Sequence, residues 1–488
     1  MDRLKEQSCR NSRELLYEGQ ALIADPIHNY IPFTVPTGRE DETCEKDLID
    51  SKWMQRLRYI YQLQSARWVY PSAEHSRFVH SLGAMHVAGR FARHLYPSLK
   101  EETPNLPSTH FIEALLRIAV LLHDIGHGPF CHFFDHNYLD EYQLTHEKLG
   151  QAIIRGELAG IIRRIRRSPS GPFAPGETLD PEHVAFLIHK DKTYQTPKGY
   201  PRWLVMLKPL FSGIFTADNL DYVLRDSFMC GVSIGPVDMN RLLHYTFFTK
   251  QGLTLHKAGL PALTMFLNAR SYLYFNVYYH RTTRSLDMHM KDIFRDTIKE
   301  IFPYNPLHRL SDYAELTDWS LLLTVKSWRN DSSEQRRSLF FEWDKILTRD
   351  VKWKMAYDTT LSPIKGAEDA PAVDPDAFEE KMRQVLPKSL QGLSFRVDIA
   401  SQRPRPTDPI DMGEHQIYVF NPSTGSVSKE ALNQFVDTIP KRLIQCRVYT
   451  LNHDHDVILS EAAETSLAQI IASFDIKKNT QTNIADLS

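Results

Sequence analysis

Two apolar rhythms divide the chain. From about residue 50 to 325 apolar positions recur every three or four residues, the spacing of helices packed on a core. In the last third, LSFRVDIA and HQIYVFN alternate as strands do, and CRVYTL follows a helical stretch. Before both, LIADPIHNYI (Leu22 to Ile31) has short apolar runs around Pro26 and reads as an extended arm or hairpin. The expected fold is mainly α, a helical core with a small α/β C-terminal lobe. Its expected parts are an N-terminal arm (1–49), the helical core (50–325), a helical connection and flexible linker (326–378) and the lobe (379–488).

Within the core, Leu57, Ile60, Tyr61 and Leu63 share one face of a predicted helix. A second helix, from about Ser76 to Leu95, carries Gly83, Ala84, Ala88 and Gly89, which suit close helix contact. A third starts at the capping residues Ser108 and Thr109. Its run ALLRIAVLLHD is apolar almost all round, which predicts burial, and Gly126, Gly128 and Pro129 end it. Further helices are expected near 146–167, 182–190, 202–227, 237–247 and 259–302, with a loop at 168–181. The stretch 358–378 reads as a linker, and KKNTQTNIADLS at the end as disordered.

Composition adds little to this picture. Net charge is −2 and the charged fraction 24%, so no global field selects a nucleic acid or a membrane. The five cysteines (Cys9, Cys44, Cys131, Cys230, Cys446) lie far apart, which excludes a zinc ribbon or disulfide framework and fits a reducing compartment. Neither an apolar leader nor a stretch of about twenty apolar residues is present, so a cytoplasmic protein is expected.

Chemistry concentrates where the buried third helix ends, at His123-Asp124. Buried polar groups cost about 2–7 kcal/mol each when unpaired, and a divalent cation satisfies imidazole and carboxylate together. The dipeptide alone means little: His453-Asp454-His455-Asp456 repeats it in a polar turn after a strand, where solvation explains it. The first copy stands in HDIGHGPFCHFFD, with Arg77 to His80 (RFVH) upstream, THE (Thr145 to Glu147) following, and ADNLDY (217–222) downstream.

These blocks (QRLRYIYQL, SRFVHSLG, LLHDIGHGPFCH, THE, ADNLDYVLRD and the stretch from Arg270 to His280) resemble the HD-domain deoxynucleoside triphosphate triphosphohydrolases in order and spacing. The resemblance implies a helical HD-domain core and one divalent metal ion (Mg, Mn, Co or Fe) on His80, His123, Asp124 and Asp218. It implies catalytic roles for His127, His132, His146 and Asp226, with His132 the candidate general acid. Arg77 and Arg270 correspond to phosphate-binding arginines, Tyr222 and Tyr278 to walls of the sugar pocket, and Gln62 and Leu63 to its edge. The implied substrate is a nucleoside triphosphate and the implied assembly a dimer.

Departures are specific. Asn219 stands where the family carries a triphosphate-binding lysine, and Asn cannot supply that charge. Tyr274 and Tyr279 replace a histidine and a glutamine of the pocket. Asp50, Gln55 and Arg58 match an activating guanine-nucleotide site, but Ala21 and Ala24 replace its Lys and Asn, so GTP-driven tetramers are not expected. Alternatives are stepwise phosphate removal from a specialised nucleotide, as in oxetanocin A biosynthesis, and an HD-type nuclease using Arg163, Arg166 and Arg167 as a helical stripe. A cyclic-dinucleotide phosphodiesterase is disfavoured, because Gly199-Tyr200-Pro201 lacks that subfamily's companions and reads as a loop. A nucleotide sensor without catalysis is disfavoured by the intact histidines.

Overall fold

A computed structural model describes residues 18–189, 199–361, 373–402, 417–428 and 443–485. The N-terminal segment is the expected hairpin: β1 (Gln20–Asp25) pairs antiparallel with β2 (Asn29–Thr34), from Gln20 opposite Thr34 to Asp25 opposite Asn29. Ile31 is fully buried in the main core, so the hairpin packs on it.

The helix predicted through Leu63 is broken. It spans Lys52–Arg56, then gives way to single 3₁₀ turns at Leu57–Tyr59 and Gln64–Trp68. The backbone N–H groups find partners other than a helical ladder: Tyr61 donates to Asp318 Oδ2 (3.0 Å) and Gln62 to the His75 carbonyl (3.0 Å). Leu57, Ile60 and Leu63 are nevertheless buried, and Tyr61 is half-buried.

Two long helices form the centre. α1 (Arg77–Glu102) and α2 (Thr109–Leu121) pack along one another, and the Ser108 hydroxyl caps α2 by accepting from Phe111 N at 3.3 Å. The small residues of α1 have a definite use. A Cβ at Gly83 would lie 2.0 Å from Asp221 Oδ1, and one at Gly89 2.9 Å from an Arg117 nitrogen. Around this pair lie α3 (His132–Asn137), α4 (His146–Gly156), α5 (Pro181–Ile188) and α6 (Ala217–Cys230). The predicted arginine stripe does not form: its helix, Ala159–Arg164, stops, and Arg167, expected in that helix, begins a two-residue strand with Ser168. Gly199 to Pro201 form a non-helical lead-in to the helix Arg202–Leu207.

A hairpin of β3 (Thr246–Thr249) and β4 (Gly252–His256) precedes α7 (Leu260–Leu273), a π turn over Tyr274–Tyr278, and α8 (Arg281–Ile301). α9 (Asp318–Ser327) and α10 (Glu334–Leu347) belong to the same core, since Leu321, Val325, Trp343 and Ile346 are buried in it. Trp328, Leu339 and Phe340, in the expected connection, are buried in the same cluster.

The lobe has its own core. β5 (Lys354–Leu361) begins where a linker was expected, and the linker's middle, 362–372, lies outside the described residues. α11 (Pro375–Val385), β6 (Phe395–Gln402), β7 (Tyr418–Asn421), β8 (Ser426–Ser428), β9 (Leu443–Thr450) and α12 (Asp456–Ala485) follow. The lobe sheet has the antiparallel order β5–β9–β6. β7 instead joins the main core, pairing parallel to β4 with Thr254 opposite Tyr418, because Ile417 and Val419 are buried there. α12 covers most of the tail predicted to be disordered; residues 486–488 lie outside the described residues. Among the described residues no helix is long and apolar enough to cross a membrane.

Candidate active site

α2 stops at Leu121, so His123 and Asp124 stand just beyond it on a turn at the rim of the core. The His123 Nδ1 lies 2.6 Å from the Val120 carbonyl, which directs Nε2 outward from the helix. His80, one turn into α1, has Nδ1 2.8 Å from Asp221 Oδ2, leaving its Nε2 facing the same point. Asp218, in the first turn of α6, completes the group with Asp124.

The ligand atoms of His80, His123 and Asp218 lie within 4.8 Å of one another, and Asp124 turns a different oxygen to each imidazole. His80 Nε2 is 3.3 Å from Asp218 Oδ1 and 3.7 Å from Asp124 Oδ2; His123 Nε2 is 3.3 Å from Asp124 Oδ1 and 3.6 Å from Asp218 Oδ1. Atoms each about 2.1 Å from a shared centre stand about 3.0 Å apart at a right angle and about 3.4 Å at a tetrahedral one. The spacing therefore suits a divalent ion. So does satisfaction: both Nε2 atoms are buried without a hydrogen bond, which costs about 1–3 kcal/mol each if nothing else binds them. Burial works against charge on His80, yet Asp218 and Asp221 outweigh it and push the imidazole up to about 10. The field at this point favours a cation.

Residues behind the ligands escaped the sequence reading. Asp221 accepts from Arg225 (2.8 and 2.9 Å) and lies 2.7 Å from His28 Nε2, while Arg225 also reaches Asp25 at 2.8 Å. The turn between β1 and β2 thus braces a metal-ligand candidate, and the absent Cβ of Gly83 makes room for the brace. The clue was Asp221 itself, three residues after Asp218 and hence on the same side of α6.

The second cluster is histidine-rich. His127 is buried and stacks on His146 with ring centroids 3.7 Å apart and planes at 16°. His146 Nδ1 lies 2.6 Å from Asp135 Oδ2, and His132 Nδ1 lies 3.4 Å from the same oxygen. Asp135, also missed, is the last letter of HDIGHGPFCHFFD. Burial, then Arg77 and His146, hold His127 well below its usual pKa; for His146, Asp135 outweighs burial and raises it. His132 is the open member, with 55% of its side chain accessible. This cluster could also hold an ion by spacing, but two histidines share its single carboxylate.

The loop between the clusters is tightly constrained. Gly126 lies against α4, where a Cβ would be 2.0 Å from the His146 carbonyl oxygen. Phe130 and Cys131 both adopt positive φ (59° and 54°), strain of about 1–3 kcal/mol each that sets His132 at the start of α3. Asp318 helps fix the loop by accepting from Phe130 N at 2.7 Å. Arg77 pairs with Asp124 and donates from Nε to Cys131 Sγ at 2.8 Å. Burial would raise the Asp124 carboxyl, but Arg77 and the neighbouring histidines hold it well below the usual carboxylate range.

A cavity of about 260 Å³ opens beside Arg77, Asp124, His132 and Asp218. Gln62, Leu63, Tyr222, Tyr278 and Asp226, all named from the sequence, line it too, with Tyr274. Both Asp226 oxygens are engaged, one 2.9 Å from His75 Nε2 and the other accepting from the Tyr278 hydroxyl at 2.6 Å. Two expected substrate contacts are not among the lining residues. Asn219 turns its amide oxygen back to Thr216 N (2.7 Å) in the capping box of α6, and Arg270 sits over the Tyr274 ring, 5.8 Å from its centroid. Of the suggested regulatory residues, Arg58 donates to Gln55 at 2.8 Å, Asp50 pairs with Lys46 at the surface, and Ala21 and Ala24 lie in β1. The described cysteines are buried thiols, each pushed up to about 12 chiefly by burial.

Comparison with known proteins identifies an HD domain over residues 77–182 and an HD associated region over 237–341. The uncharacterized protein YwfO of Bacillus subtilis is 28% identical over 326 residues, 64% of this chain and 67% of its own. The deoxynucleoside triphosphate triphosphohydrolase SAMHD1 of Gallus gallus is 27% identical over 379 residues, 69% of this chain but only 57% of that protein. The crystal structure of a phosphohydrolase from Bacteroides thetaiotaomicron shares the fold, with a TM-score of 0.61 at 22% identity, covering 89% of this chain and all of that one.

Proposed function

We propose that this HD-domain chain is a metal-dependent phosphohydrolase of nucleoside triphosphates. The observation that carries the reading is the convergence of two unpartnered imidazole nitrogens and two carboxylates beside a cavity that also holds Arg77 and His132. Similarity to a deoxynucleoside triphosphate triphosphohydrolase points to the substrate class.

His80, His123, Asp124 and Asp218 would hold a divalent ion, which would supply a more acidic water and offset charge on phosphorus oxygens. Arg77 keeps Asp124 ionised and lends positive charge to the cavity wall, where phosphate oxygens lie. His132, open to the cavity and oriented by Asp135, donates a proton to the leaving oxygen. His127, buried and outside the cavity lining, has its Nε2 3.4 Å from Asp124 Oδ1 and positions that carboxylate. Asp226 positions Tyr278, which walls the sugar.

With Asn219 folded into a helix cap, no lysine equivalent grips the phosphate chain at that position. Attack at the α-phosphorus releases triphosphate whole; stepwise removal from the γ-phosphorus is the alternative. A product time course with dATP and dGTP in Mg, Mn or Co separates them. Triphosphate first supports the triphosphohydrolase reading, phosphate first the stepwise one, and no hydrolysis with any ion rejects both.

A further inference from the structure

Part of the cavity wall has no task in phosphate chemistry, yet it is polar and incompletely satisfied. Thr283, on α8, is 3% exposed, lines the cavity, and has an Oγ1 without a hydrogen bond. Asp287 stands one turn further along α8 on the same face and lines the cavity as well. The Ser65 hydroxyl donates to its Oδ1, which fixes the carboxylate from the neighbouring 3₁₀ turn. Its Oδ2 lies 4.0 Å from Arg284 Nη1, too far for a hydrogen bond, and Arg284 is committed to Asp398 at 2.5 and 3.0 Å. Desolvation pushes the Asp287 carboxyl up to about 6 against Arg284 and Ser65, as an undercompensated acid behaves. Gln62 Oε1, on the same cavity, is a further buried acceptor without a partner.

A carboxylate only accepts hydrogen bonds, so a ligand group here must donate. Among nucleobases, guanine presents two adjacent N–H donors, N1–H and the exocyclic amine, which match the two oxygens of one carboxylate. Thymine offers one N–H between two carbonyl oxygens that a carboxylate repels. Adenine and cytosine offer an amine beside an acceptor nitrogen. We propose that Asp287 and Thr283, with Ser65 holding the carboxylate in place, form a base-reading subsite selective for the guanine edge. This deepens the nucleotide reading and rests on it for the orientation of the substrate.

The test measures calorimetric binding of dGTP and dTTP to the full-length wild type, to Asp287→Asn and to Thr283→Val, with hydrolysis and melting temperature followed in parallel. A site built around hydrogen-bonding groups predicts dGTP binding at least about tenfold tighter than dTTP, the ratio falling to about twofold or less in Asp287→Asn and by a smaller factor in Thr283→Val. If Asp287 serves only Arg284, the Asn variant melts lower with its ratio unmoved, and the subsite is overturned. Equal wild-type affinities also overturn it, while hydrolysis of both nucleotides leaves the phosphohydrolase reading standing. A dGTP preference erased by Asp287→Asn without hydrolysis supports the subsite and overturns the phosphohydrolase reading. Failure to bind either nucleotide overturns both.

Discussion

His-Asp pairing stands at two places in this chain, and the molecule treats them in opposite ways. His123-Asp124 follows a buried helix, and His123 has one ring nitrogen at a main-chain carbonyl while the other faces a second imidazole's free nitrogen and two carboxylates. His453 to Asp456 occupy the turn after β9, where His453 is 63% exposed and closes on Asp456 at 2.7 Å. The letters are the same; the partners are not. A ligand set requires that one nitrogen of each imidazole be held by protein while the other converges with further ligand atoms on one point, and among the described residues no such group includes His453. Only the buried copy meets that condition.

The largest expected effect comes from deleting a ligand at the buried copy. Asp124→Ala should remove metal binding and lower kcat/KM by about 1,000-fold or more, since several kcal/mol of transition-state charge stabilisation are at stake. Steady-state kinetics and metal titration check it together; retained activity rejects the ligand assignment. A smaller effect follows from loosening what stands behind a ligand. Asp221→Asn leaves the ligands in place but weakens the hold on His80 Nδ1, and should reduce metal affinity about 10–100-fold. Calorimetry with Mn reads this, and an unchanged affinity would show the brace from β1 and β2 to be packing alone.

Asn219→Lys probes the departure from the family. The amide oxygen sits in a capping box, so the substitution should cost about 1 kcal/mol of stability and leave the order of released products unchanged. Denaturant unfolding and product chromatography measure the two parts; a switch to a different first product would place this side chain on the phosphates. The smallest effect belongs to the exposed copy. His453→Ala should change neither metal content nor turnover and should shift stability by no more than about 0.5 kcal/mol.

The contrast also explains what the sequence disclosed. Helices α1 and α2 were legible because apolar spacing, caps and glycines agree at those places, whereas α6 was read as the end of one helix over 202–227, which breaks before Ala217. The candidate ligands could be named because each sits in a distinctive local block, and the fold brings His80, His123 and Asp218 together. Asp221, Asp135 and His28 were not, because their roles exist only across the fold: His28 reaches Asp221 over 193 residues of chain, and no local pattern announces the meeting. The short helix at Lys52–Arg56 was overextended for the same reason, its continuation being overruled by Asp318 capturing the Tyr61 N–H. β7 alternates like any strand, and alternation does not say which sheet it joins; buried Ile417 and Val419 place it beside β4.

The central claim is that two imidazoles and two carboxylates from separate helices and a loop hold one divalent ion. Metal content of the purified protein after loading with Mn and dialysis, read by inductively coupled plasma mass spectrometry, tests it most directly. The account predicts one equivalent in the wild type and in His453→Ala, and none in Asp124→Ala. A wild type that retains no ion, or an Asp124→Ala variant that keeps a full equivalent, would contradict it.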